Sequence, residues 1–66
     1  MKILVNGKKI KFDSNLTLHM LLIELDFISK RIAVEVNEEI ITRSHFKNKL
    51  IVDGDKIEII NAVGGG

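Results

Sequence analysis

The residues of this chain that could take part in chemistry fall into four groups. Gly64, Gly65 and Gly66 close the sequence directly after the apolar stretch "NAV". His19 and His45 lie far apart in the chain, the second beside Ser44. Carboxylates gather in "NEEI" at 37–40 and "DGD" at 53–55. Lys8, Lys9 and Lys11 crowd one short stretch near the start.

Three of these groups have ordinary explanations. A histidine metal site needs ligand spacing, such as a pair one helical turn apart, or a cysteine partner. His19 and His45 have neither and read as surface residues. Ser44 and His45 are adjacent, and adjacent side chains on a strand point apart, so no nucleophile–base pair is expected. Paired acids can act as general acid and base. Here both clusters sit where Asp, Asn and Gly are the normal choice for a turn. The lysines suit the solvated side of an edge strand, where positive charge discourages further strand pairing. A minor contact with an acidic partner stays open for them.

The glycines are different. Without a Cβ, a backbone can pass through a slot too narrow for any other residue, and it moves freely. The last carbonyl carbon is left unshielded for an approaching nucleophile. These properties suit a terminus that is itself the reactive group. The reading is that Gly66 carries the reactive carboxylate and that Gly64 and Gly65 thread it into a partner. The competing explanation is an inert flexible end.

Composition fits a carrier better than an enzyme. The chain has 66 residues, so a single domain is expected. A domain of this size has little interior for a deep pocket and a catalytic shell. Its 45% apolar content, largely Ile, Leu and Val, predicts a folded chain. Ten Lys and Arg against nine Asp and Glu leave a net charge of +1, which suggests neither nucleic acid nor an anionic membrane as partner. Three Phe are too few for a base-stacking surface. Cysteine is absent, so no disulfide or thiolate metal site is expected. "MKILVNGKKI" has only a four-residue apolar run, unlike a signal peptide, and a cytoplasmic location is expected.

The elements that must hold the glycines follow from periodicity. Residues 2–12 alternate around Asn6-Gly7, a strong signal for a β-hairpin. Leu18, Leu21, Leu22 and Leu25 recur at helical spacing. Thr17 offers the cap, predicting a helix of about three turns ending near Asp26. Met20, Ile23 and Phe27 lie off that stripe. "RIAVEVN" reads as a strand. The next stretch has no clean period; Ile40, Ile41, Phe46 and Leu50 would anchor an irregular crossing with one short strand and a helical turn. "KIEIINAV" is the final strand, with Ile57, Ile59 and Val63 on one side and Glu58, Ile60 and Ala62 on the other. This order predicts an α+β fold: a β-grasp, ubiquitin-like mixed sheet of about four to five strands wrapped on one helix. Residues 1–63 would form the domain and 64–66 a flexible tail. If the end strands are neighbours, Leu4, Ile60 and Ala62 share the face away from the helix and form a candidate docking patch.

Several of these pieces occur together in one family. "RIAVEVNEEIITRSHF", "LIVDGDKIEIINAVGGG" and the opening "ILVNG" make the chain resemble, along nearly its whole length, the ThiS family of sulfur carriers in thiamin biosynthesis. Asn37, Arg43-Ser44, the Asp53-Gly54-Asp55 turn, "IEI" at 57–59 and the terminal Gly65-Gly66 carry the match. Thr42 stands where the family often has proline, and Phe46 where it often has tryptophan. Both departures fall in the crossing.

The resemblance implies a function. A ThiF-like adenylating enzyme would use ATP and Mg²⁺ to turn the Gly66 carboxylate into an acyl-adenylate. A persulfide donor protein would then supply sulfur, leaving a thiocarboxylate. A ThiG-like thiazole synthase would receive that sulfur. The chain itself would bind no cofactor and have no catalytic residue of its own. Alternatives are the small subunit of molybdopterin synthase, which has the same fold and glycine end, and a ubiquitin-like modifier or binding module.

Overall fold

A computed structural model describes residues 1–13, 15–27 and 31–61. Strand β1 (Lys2–Val5) and strand β2 (Lys8–Lys11) form the predicted hairpin. Asn6 and Gly7 both take positive φ, 50° and 82°, as its two-residue turn requires. Strand β3 (Leu16–Thr17) leads into helix α1 (Leu18–Glu24). Strands β4 (Ile32–Val36) and β5 (Glu39–Ile41) form a second hairpin, turning at Asn37 and Glu38, again with positive φ. A single 3₁₀ turn at Arg43–His45 precedes strand β6 (Leu50–Ile51), and strand β7 (Lys56–Asn61) ends the described chain.

Five strands make one mixed sheet in the order β2-β1-β7-β4-β5. The first and last strands lie side by side and parallel at its centre, with Leu4 level with Lys56 and Val5 with Ile57. With α1 packed on one face, this is the expected β-grasp. The lysine-rich β2 occupies one edge, where charge opposes further pairing. A small second sheet was not legible in the periodicity: β3 pairs with β6, Leu16 opposite Ile51 and Thr17 opposite Leu50.

The helix is shorter than its apolar pattern suggests: seven residues, about two turns rather than three. Its start is where the capping chemistry put it. The Thr17 hydroxyl accepts from the Met20 amide at 3.2 Å. Two more free amides of the first turn are met by the crossing, Leu18 N donating to Lys49 O and His19 N to Phe46 O. Its end is set by Asp26, which adopts φ 64°. Asp26 N donates to Ile23 O and Phe27 N to Leu22 O, the paired bonds of a Schellman motif. Glycine normally marks that motif; an aspartate in its place hid the stop.

Leu18, Leu21 and Leu22 are fully buried against Ile3, Val5, Val34, Val36, Ile57 and Ile59, while Leu25 is only half-buried. Met20 and Ile23 are exposed, and Phe27 packs at the margin of the core. The crossing is anchored differently from the sequence expectation. Phe46 and Ile51 are buried and Ile41 is partly so, but Ile40 and Leu50 face outward. Leu50 pairs with Thr17 on the short β3–β6 ribbon, so alternation sends Ile51 inward in its place.

Candidate functional site

Strand β7 is the element that leads toward the glycines. It is paired along its length with β4, from Val36 opposite Ile57 to Ile32 opposite Asn61. On its other side β1 pairs only at Leu4 and Val5. Above that point Asn6 takes over. Its backbone amide donates to Ile57 O at 2.9 Å, and its side-chain oxygen accepts from Ile59 N at 2.7 Å. A turn residue thus satisfies an amide of the central strand where the neighbouring strand has ended. Ala62, Val63, Gly64, Gly65 and Gly66 follow Asn61 in sequence and lie outside the described residues.

The lower end of β7 is fixed by the "DGD" turn. Lys2 N donates to Asp53 Oδ1 at 2.6 Å, and Gly54 N to Lys2 O at 2.7 Å. Gly54 has φ 88°, which favours glycine there. Asp55 is 7% exposed, the buried charged side chain of the described core. Its Oδ2 accepts from Val52 N and its Oδ1 from Asn37 Nδ2, each at 2.9 Å. Asn37 in turn accepts from Lys56 N through Oδ1, and its own amide donates to Lys56 O. The acids read as turn residues are therefore structural: Asp53 ties β1, and Asp55 with Asn37 bolts the β4–β5 turn to the root of β7. The Asn37–Asp55 link was missed from sequence because it joins residues 18 apart. Its signals were an Asn in the left-handed region after a strand and an Asp after a glycine turn.

The histidines stay apart. His45 is exposed, with Nδ1 2.8 Å from Thr42 Oγ1. His19, on α1, borders a shallow groove with Arg43, Ser44 and Lys47 over the Phe46 ring. The Arg43 guanidinium lies 5.7 Å from that ring's centre. Among the described residues no three His, Asp or Glu side chains gather as metal ligands. No helix among them is long and apolar enough to cross a membrane.

Of the suggested docking patch, Leu4 and Ile60 occupy the sheet face away from α1, but at different heights. Leu4 is half-buried and level with Lys56 and Lys9, whereas Ile60 is exposed and level with Ala33. Ala62, the third member, lies outside the described residues. The sheet brings Ala33 and Ile40 onto the same outer face as Ile60, two positions that the strand pattern alone did not single out.

Comparison with known proteins agrees with this geometry. A family model described as the ThiS family matches residues 2–66. The sulfur carrier protein ThiS of Escherichia coli is 30% identical over 66 residues, covering all of both chains. A thiazole synthase of Paramagnetospirillum magneticum is 41% identical over 66 residues, and the present chain spans only 20% of its length. The crystal structure of a thiamine biosynthesis protein, ThiS, from Geobacter metallireducens superposes with a TM-score of 0.87 at 33% identity over the full length of both chains. In sequence and in fold, this chain belongs to the ThiS family.

Proposed function

We propose that the chain is a sulfur carrier of thiamin biosynthesis and a protein cosubstrate without catalytic residues of its own. The observation that carries this reading is membership of the ThiS family across residues 2–66, in a chain whose central strand leads directly into Gly64-Gly65-Gly66. A carboxylate is a poor electrophile because its charge is delocalised. A ThiF-like adenylating enzyme, with ATP and Mg²⁺ in its own site, supplies the missing leaving group. The Gly66 carboxylate oxygen attacks the α-phosphorus and pyrophosphate departs. The outer sulfur of a persulfide donor then attacks the acyl carbon and AMP leaves, forming an acyl disulfide. A thiol cleaves that S–S bond, yielding the thiocarboxylate and a new disulfide. A ThiG-like thiazole synthase accepts the sulfur. These steps belong to the cytoplasm, where ATP and reduced thiols coexist.

The folded body supports the tail in this scheme. Hydrogen bonds on both sides of β7 keep Asn61 in register with Ile32, so the approach to the glycines has a defined origin. Leu4, Ile60 and Ala62 contribute to the docking face, and Gly64 and Gly65 pass through the partner's narrow channel.

Intact mass spectrometry tests the reading after incubation with adenylating enzyme, ATP, Mg²⁺, persulfide donor and thiol. The expected product carries one sulfur in place of one oxygen at Gly66. Deleting Gly66 is expected to abolish loading while thermal unfolding stays at the wild-type temperature. A deletion that still loads would move the reactive atom elsewhere. Covalent ladders on other proteins would make the chain a modifier. Sulfur transfer to a molybdopterin precursor in place of the thiazole would assign it to the other carrier pathway.

A further inference from the structure

The outer sheet face carries an arrangement that the stability of the free chain does not explain. Glu35 on β4 and Glu58 on β7 are direct register partners, and both are half-buried. Directly opposed side chains of an antiparallel pair stand about 4.5–5.5 Å apart at Cβ, and like charges there are destabilising. The row continues to Ile40, opposite Glu35, which is 69% exposed. One step along the strands, Ala33 faces Ile60, which is 55% exposed. Ile40 and Ile60 are the two most exposed large apolar side chains among the described residues. The lysines of this face cluster toward β1 and β2, where Lys9 and Lys56 flank Leu4 and Lys11 stands opposite Lys2. Lys56, two residues before Glu58, is the nearest of them in register. Among the described residues no ion pair or hydrogen bond engages either carboxylate.

Two opposed carboxylates framed by exposed isoleucines fit a protein surface that offers a cation among apolar side chains. Arginine suits the geometry best. Its planar guanidinium has five donors and can bond two carboxylates at once, which a compact ammonium does less well. The isoleucines would exclude water around the contact and strengthen it. We propose that Glu35 and Glu58 form an arginine-recognition pair within the face that docks the adenylating partner, an inference that rests on the carrier reading above. The repulsion between them lowers the stability of the free chain and is relieved in the complex. Removing one charge therefore moves stability and docking in opposite directions.

Glu35→Gln and Glu58→Gln keep the side-chain shape and remove the charge. Thermal unfolding of each variant alone, and its affinity for the adenylating enzyme by titration calorimetry at two salt concentrations, test the pair. Glu24→Gln, on α1, is the control for net charge. Each pair variant is expected to melt about 2–5 °C above wild type. Each is expected to bind about tenfold more weakly, with a flatter salt dependence. Glu24→Gln is expected to match wild type in affinity. Pair variants that bind as tightly as wild type would overturn the arginine pair and leave the carrier reading standing. An equal loss of affinity in Glu24→Gln would also overturn it, because net charge alone would then explain the effect. A wild-type chain that neither binds the enzyme nor accepts sulfur overturns the carrier reading itself, and this inference with it.

Discussion

On the face of the sheet turned toward α1, Ile3, Val5, Val34, Val36, Ile57 and Ile59 are all buried, whereas on the opposite face Ile40 and Ile60 are left largely in water. Both faces belong to the same strands, and alternation alone would make the outer one polar. It is polar only on the side of β1 and β2, where the lysines gather. Over β4, β5 and β7 it mixes isoleucines with two opposed glutamates. The inner face is explained by folding. The outer face is explained by a partner. A domain this small can separate the two demands because a single sheet supplies both surfaces and one helix covers only one of them.

Substitutions on the two faces sharpen or break this division. The largest effect on stability belongs to the inner face. Ile57→Ala, at a fully buried position of the central strand, is expected to cost about 2–5 kcal/mol. That is comparable with the whole stability of a core this small. Denaturant unfolding monitored by circular dichroism measures it, and a loss below 1 kcal/mol would mean that α1 and the sheet repack easily. Next comes Asp55→Ala, which strands Asn37 Nδ2 and the Val52 amide. Leaving such groups without partners costs about 1–3 kcal/mol. The same variant should speed hydrogen exchange at the Val52 amide, and an unchanged rate would show that the bond contributes little. The smallest stability effect is expected on the outer face. Ile60→Glu should change unfolding free energy by no more than about 0.5 kcal/mol. Its affinity for the adenylating enzyme should nevertheless fall, and an affinity equal to wild type would remove Ile60 from the docking face.

Local signals carried most of the fold. Asn6-Gly7 marked the first hairpin, the leucine stripe marked α1, Thr17 marked its start, and the alternation at Ile57 and Ile59 marked the central strand. Each is a property of a few consecutive residues. The features that escaped depend on distant partners. The β3–β6 ribbon joins Leu16 to Ile51, and the Asn37–Asp55 bond joins two turns. The helix stop escaped for another reason, since Asp26 occupies a left-handed position that glycine usually advertises. The site was legible to a different degree. Glycine chemistry pointed to the tail, and the family resemblance supplied the reaction. The opposed glutamates could be seen only once register was known, because nothing in "AVEV" or "KIEI" says that their glutamates face each other.

The parallel contact between β1 and β7 joins the beginning of the sequence to Lys56–Asn61, near its other end. On the ribosome, the hairpins and helix emerge first, but the gap between them stays open until that strand is made. Closing it demands a long loop, which slows folding relative to a chain of local contacts. A message cut short anywhere upstream yields a sheet without its middle, a target for proteases and a useless substrate for any activating enzyme. Synthesis thus screens the product: only a chain that has been read nearly to its last codons acquires the body that a partner can hold.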